Sequence, residues 1–151
     1  MNPLTENPGD GTPSRGLALV VDDAPTVRMY HGGVLRAAGF TVEEAANGLE
    51  ALEVLLVNRY DLVVTDVNMP HMDGFTLVRR LRGEALSRSV PVVTISTESQ
   101  ESDAEAGYAA GANLYLVKPV APDLLTRVAD LLTAPLPSPS SASSSTTGSR
   151  S

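Results

Sequence analysis

Five short apolar runs, rich in β-branched residues, recur along the chain, and longer stretches with helical spacing separate them. The runs are Leu17 to Val21, Phe40 to Glu43, Leu62 to Thr65, Val92 to Ile95 and Leu114 to Val117. Between them Val27, Tyr30, Val34, Leu35 and Ala38 keep a helical period, as do Leu49, Leu52, Leu55 and Leu56, and then Phe75, Val78 and Leu81. Glu98 to Ala109 predicts a polar, alanine-rich helix, and Leu124, Leu125, Val128, Leu131 and Leu132 form a final apolar stripe. Such alternation predicts an α/β fold, a parallel sheet covered by helices on both faces. Gly39 and Gly111 fall just past helical stretches, where glycine accepts a left-handed cap at little cost. Five units without an internal repeat suggest an open, doubly wound sheet and not an eight-fold barrel.

The rest of the chain bounds what such a sheet can do. Residues 1–15, with Pro3, Pro8, Gly9, Gly11 and Pro13, read as a disordered lead-in without signal-peptide pattern. From Pro135 the chain turns to Pro, Ser, Thr and Ala, a composition that cannot offset the entropy of ordering, so 135–151 reads as a loose tail. The folded domain is expected at 16–134. A formal charge of −7 argues against direct nucleic-acid binding, which needs clustered cations. No apolar run approaches the roughly 20 residues of a membrane span, so no insertion is expected. With no cysteine, thiolate chemistry is excluded, and a cytoplasmic location is the expectation.

In open α/β sheets the ligand sits at the carboxyl ends of the strands. Those ends carry Asp22 and Asp23 after the first run, Asp66 after the third, Ser96 and Thr97 after the fourth, and Lys118 with Pro119 after the fifth. Three carboxylates converging in one crevice repel one another unless a cation neutralises them. Hard oxygen ligands favour Mg²⁺, which typically takes one or two carboxylates together with a phosphoryl group.

The stretches VDDAPTVR, DLVVTDVNMPHMDG, PVVTIST and GANLYLVKP are similar to the receiver domains of two-component response regulators, especially the CheY-like single-domain type. That resemblance covers the whole folded span and implies strand order 2-1-3-4-5. It implies Asp66 as phospho-acceptor and a Mg²⁺ shell of Asp23, Asp66 and the Asn68 backbone carbonyl, with Asp22 acting through water. It further implies Lys118 and Ser96 on the phosphoryl oxygens, Ser96 and Tyr115 as switch residues, and Asn68, Thr97 and Glu98 as tuners of rate. Pro119 is expected after a cis peptide. Thr97 stands where the family more often has Ala or Gly, so its β-branch is expected to crowd the crevice mouth. The implied partners are a sensor histidine kinase or histidine phosphotransfer protein, and a target on the face of helix four, strand five and helix five. The chain is expected to catalyse only its own phosphorylation and dephosphorylation, and to act alone, because no effector domain follows.

Ordinary readings compete with these. Asp22 and Asp23 in isolation are a helix cap, Asp73-Gly74 is turn chemistry, and Lys118 alone is a solvated lysine. Tyr115 alone is a half-buried aromatic. His31 and His71 have no partner at metal-ligand spacing and read as surface residues without a role. Glu43 and Glu44 read as solvated. Glu101, Asp103 and Glu105, with Asp123 and Asp130 against Arg127, predict an acidic output face suited to a basic or neutral partner. Three rivals remain: a phosphatase with a strand-one nucleophile, which needs Asp-x-Asp where this chain has Asp22-Asp23-Ala24; a relay intermediate passing phosphate onward; and a phosphorylation-independent scaffold.

Overall fold

The computed structural model describes residues 14–134, and the remainder of the expected lead-in and the whole 135–151 tail lie outside the described residues. The elements run β1 (Leu17–Val21), α1 (Pro25–Ala37), β2 (Thr41–Ala45), α2 (Gly48–Val57) and β3 (Leu62–Asp66), then α3 (Gly74–Arg82), β4 (Val92–Ser96), α4 (Glu101–Ala110), β5 (Leu114–Val117) and α5 (Pro122–Thr133). All four strand pairings are parallel, in the order β2-β1-β3-β4-β5. The fold class and strand order are those expected.

Alternation along β1 divides the core in two. Leu19 and Val21 point to the layer of α2 and α3, with Leu52, Leu55, Leu77 and Leu81. Ala18 and Val20 point to the layer of α1 and α5, with Leu35, Phe40, Leu125 and Val128. Each large aliphatic side chain buried there contributes about 1.5–3 kcal/mol, and both faces of β3 and β4 are covered. This explains why their sequences are continuous apolar runs, not alternating ones.

Two boundaries move. The second strand starts after Phe40, because the Phe40 N–H donates to the Leu35 carbonyl at 3.0 Å and so finishes α1. It then continues to Ala45, paired with Val21. The fourth helix starts at Glu101, not Glu98, because the Glu98 N–H is taken by Ser96 Oγ at 3.0 Å and the Gln100 N–H by Asp103 Oδ2 at 3.2 Å. Gly111 ends α4 at φ 115°. At the start of the fold, Arg15 donates its backbone N–H to Gly39 O at 2.9 Å and its guanidinium to Asp130.

Candidate functional site

Asp22 follows β1, Asp66 is the last residue of β3, and Lys118 follows β5, so the parallel register brings all three to one edge of the sheet. Asp22 is 1% exposed, its Oδ1 accepts from the Ala24 N–H at 2.9 Å, and its own N–H donates to Ala45 O at 3.2 Å. Asp22 is thus not the cap of α1, whose N-cap is Ala24 with no side-chain cap bond; its Oδ1 closes a local turn ahead of the helix, and its other oxygen remains for the crevice. One carboxylate oxygen each from Asp22, Asp23 and Asp66 lies within 4.8 Å of the others. Lys118 Nζ stands 2.9 Å from Asp66 Oδ1 and 3.3 Å from Asp22 Oδ2.

The backbone holds this arrangement. The Lys118 N–H donates to Ser96 O at 2.7 Å, and the Lys118–Pro119 peptide is cis, as expected. Beneath Asp66, a Cβ on Gly74 would lie 2.2 Å from the Asp66 carbonyl oxygen, so only glycine lets α3 begin there. Asp73 is the α3 cap, accepting from the Thr76 N–H at 2.7 Å, in line with its structural reading. The need for Gly74 is a close approach and not turn chemistry, which the Asp-Gly pair alone does not reveal.

Electrostatics follow from burial. Asp66, 6% exposed, has its carboxyl pushed above the usual range by desolvation, a push that Lys118 opposes and Asp22 and Asp23 reinforce. Burial pulls Lys118 down, yet Asp66 and Asp22 raise it more, so the ammonium is held charged. Three carboxylates against one ammonium leave a formal excess of two negative charges in a small volume. That donor set, all hard oxygen, fits a divalent cation of the Mg²⁺ kind.

The other expected residues take distinct places. Ser96 is fully buried at the end of β4, and its hydroxyl is engaged by Glu98 N–H. Tyr115 is half-buried, with its ring 6.3 Å from that of Phe75 and its hydroxyl donating to Glu98 O at 2.7 Å. Glu98 is therefore held from both sides, by a site residue and by an aromatic outside the crevice. Asn68 is exposed on the loop after β3. Thr97 is exposed and borders an open cavity of about 420 Å³.

Three readings change. His31, read as a surface residue, is 4% exposed, because its turn of α1 packs toward the sheet, and burial lowers its basicity. Glu43 and Glu44 are engaged and not merely solvated: Glu43 accepts from the buried Tyr60 hydroxyl, and Glu44 takes Arg28 at 3.1 Å and Arg36 at 3.2 Å. Asp130 pairs with Arg15 and drops out of the acidic output face.

The family model for the response regulator receiver domain matches residues 18–130. The chain is 39% identical over 132 residues to the gliding motility regulatory protein of Myxococcus xanthus, covering 87% of this chain but only 17% of that protein. It is 35% identical to the chemotaxis response regulator CheY4 of Vibrio cholerae, with a TM-score of 0.73 over 77% of this chain and 97% of the other. The receiver domain of sensor histidine kinase PA1611 from Pseudomonas aeruginosa, with a magnesium ion coordinated in its active site cleft, is 28% identical with a TM-score of 0.74. That match covers 80% of this chain and 98% of the PA1611 domain. No described helix is long and apolar enough to cross a membrane.

Proposed function

The chain belongs to the response regulator receiver domains of two-component signalling, phospho-aspartate switches as a class, and on that premise we propose that Asp66 is its phospho-acceptor. The observation that carries this is the buried Asp66 carboxylate, 2.9 Å from Lys118 and grouped with Asp22 and Asp23. The phosphoryl donor is a sensor histidine kinase or a histidine phosphotransfer protein. Asp22, Asp23, Asp66 and the Asn68 carbonyl would hold Mg²⁺, which when bound neutralises the carboxylates and the incoming phosphoryl oxygens. Asp66 attacks phosphorus in line, and Lys118 stabilises the charge that grows on the equatorial oxygens.

Phosphorylation adds about 1.5–2 negative charges and three acceptor oxygens to the Asp66 side chain. Ser96 is the hydroxyl placed to meet one of them, and when it turns it gives up its hold on the Glu98 N–H. The Glu98 carbonyl is the anchor of Tyr115, so release on one side changes the load on the other. The output is a reshaped face of α4, β5 and α5, read by a protein partner. Apart from its own phosphorylation and dephosphorylation the chain turns over no substrate, and it acts as a cytoplasmic switch. Glu101 and Glu105 on α4 and Asp123 on α5 are exposed there, which favours a basic or neutral partner.

The test is incubation with Mg²⁺ and a small phosphodonor, with the added phosphate located by mass spectrometry. Label is expected on Asp66, and Asp66→Asn is expected to abolish it. Wild-type uptake by that variant would remove the assignment.

A further inference from the structure

Asp23 is the least anchored of the three crevice carboxylates. It is exposed, and among the described residues no hydrogen bond or ion pair fixes its side chain, whereas Asp66 has Lys118, and Asp22 has Lys118 and the Ala24 N–H. Its place within 4.8 Å of the other two is therefore set by the backbone on either side of it. Without a cation the three like charges repel one another, and a loosely held loop would carry Asp23 out toward water.

Both flanking carbonyls are held by one residue, Arg28 in α1. Its guanidinium donates from Nη1 to Asp22 O at 2.7 Å, and its backbone N–H donates to Ala24 O at 2.9 Å. A guanidinium on a flexible stem holds nothing unless it is itself fixed. Arg28 is fixed by Glu44 on β2, whose Oε1 accepts from its Nε at 3.1 Å, and Arg36 steadies the other oxygen of Glu44 at 3.2 Å. Glu44 pairs in register with Val20, so the strand beside β1 supplies the fixed point. Gly32 leaves room for this contact, since a Cβ there would lie 3.3 Å from both Arg36 Nη1 and Glu44 Oε2.

We propose that Arg28 is a positioning residue for the metal site: braced by Glu44, it clamps the turn from Asp22 to Ala24 so that Asp23 faces the crevice before any cation arrives. The proposal rests on the reading that Asp22, Asp23 and Asp66 hold Mg²⁺. Arg28 touches neither the ion nor the phosphoryl group and acts through the loop backbone. The role suits arginine, whose planar fork reaches a carboxylate and a carbonyl at once, where lysine offers a point charge.

The sign of the effect separates this role from a purely electrostatic one. Arg28 is a cation near a cation site. By its field alone, removing it would tighten Mg²⁺ binding, the more so because Glu44 would lose a partner. As a clamp, its removal weakens binding, because part of the binding energy then goes into ordering the loop.

The experiment is calorimetric titration of the full chain with Mg²⁺, without phosphodonor, at a temperature where circular dichroism shows each variant folded. Arg28→Met, which keeps the apolar stem, is expected to raise Kd about tenfold, the low end of what groups behind metal ligands are worth. Arg28→Lys, which keeps the charge and loses the fork, is expected to raise it about threefold, an effect the field cannot produce. The urea midpoint in metal-free buffer is measured alongside, since a merely structural arginine would shift the midpoint and leave Kd alone. A Kd in Arg28→Met equal to or below that of the wild type overturns the proposal; if that variant does not fold, an unchanged Kd in Arg28→Lys does so. A wild type that binds no Mg²⁺, or whose binding survives Asp23→Asn unaltered, overturns the metal reading, and this one with it.

Discussion

Lys118 is the chain's single lysine, and its ammonium lies between two carboxylates that would otherwise face each other. Lys118→Met should leave Mg²⁺ binding in place, because the lysine is not among the oxygen donors, and abolish most of the conformational response to phosphorylation. Magnesium titration and limited proteolysis with and without phosphodonor separate the two effects. The carboxyl of Asp66 is raised, so the stability it contributes is fully present below the ordinary carboxylate range and is lost as pH rises through the raised value. Mg²⁺ should therefore increase the melting temperature strongly at pH 7 and little below the ordinary carboxylate range; an equal increase at both would contradict this. Asp22, Asp23, Asp66 and Lys118 were legible because each is charged at the end of an apolar run, a combination that burial alone does not explain. His31 was not, since Gly32 and Gly33 interrupt the apolar stripe of α1 and hide which face turns inward.

At the scale of elements, Arg82 ties three of them together. From the end of α3 its guanidinium donates to the carbonyls of Gly111, Ser87, Arg88 and Val90 and to Asn113 Oδ1, whose oxygen also takes the Val92 N–H at 2.8 Å. Arg82→Ala leaves several partly buried acceptors without donors and should cost about 2–4 kcal/mol, read from the urea midpoint. Arg82→Lys should recover little, because a point ammonium cannot span the fork. Gly74→Ala should be at least as costly, and should also slow labelling of Asp66 by displacing its carbonyl. The order of elements was legible from period alone, because two-sided burial writes strands as apolar runs. The start of α4 was not, because it depends on which hydrogen bonds Ser96 and Asp103 make, and those are set by tertiary position.

At the scale of the whole described fold, the crevice and the two ends of that fold lie at opposite poles. The carboxylates stand at the C-terminal ends of the strands, while α5 runs back from Pro122 to bring Asp130 against Arg15, just ahead of β1. Arg15 also lies 5.0 Å from the centre of the Phe40 ring. The pair is partly exposed, so Arg15→Ala should cost about 1 kcal/mol or less, measurable as a small shift in the denaturation midpoint. The larger consequence is mechanical. A cargo joined directly at Ser14 or Ala134 enters at the far pole and leaves the docking pole clear, so bulky fusions at those two positions should leave the rate of Asp66 labelling unchanged.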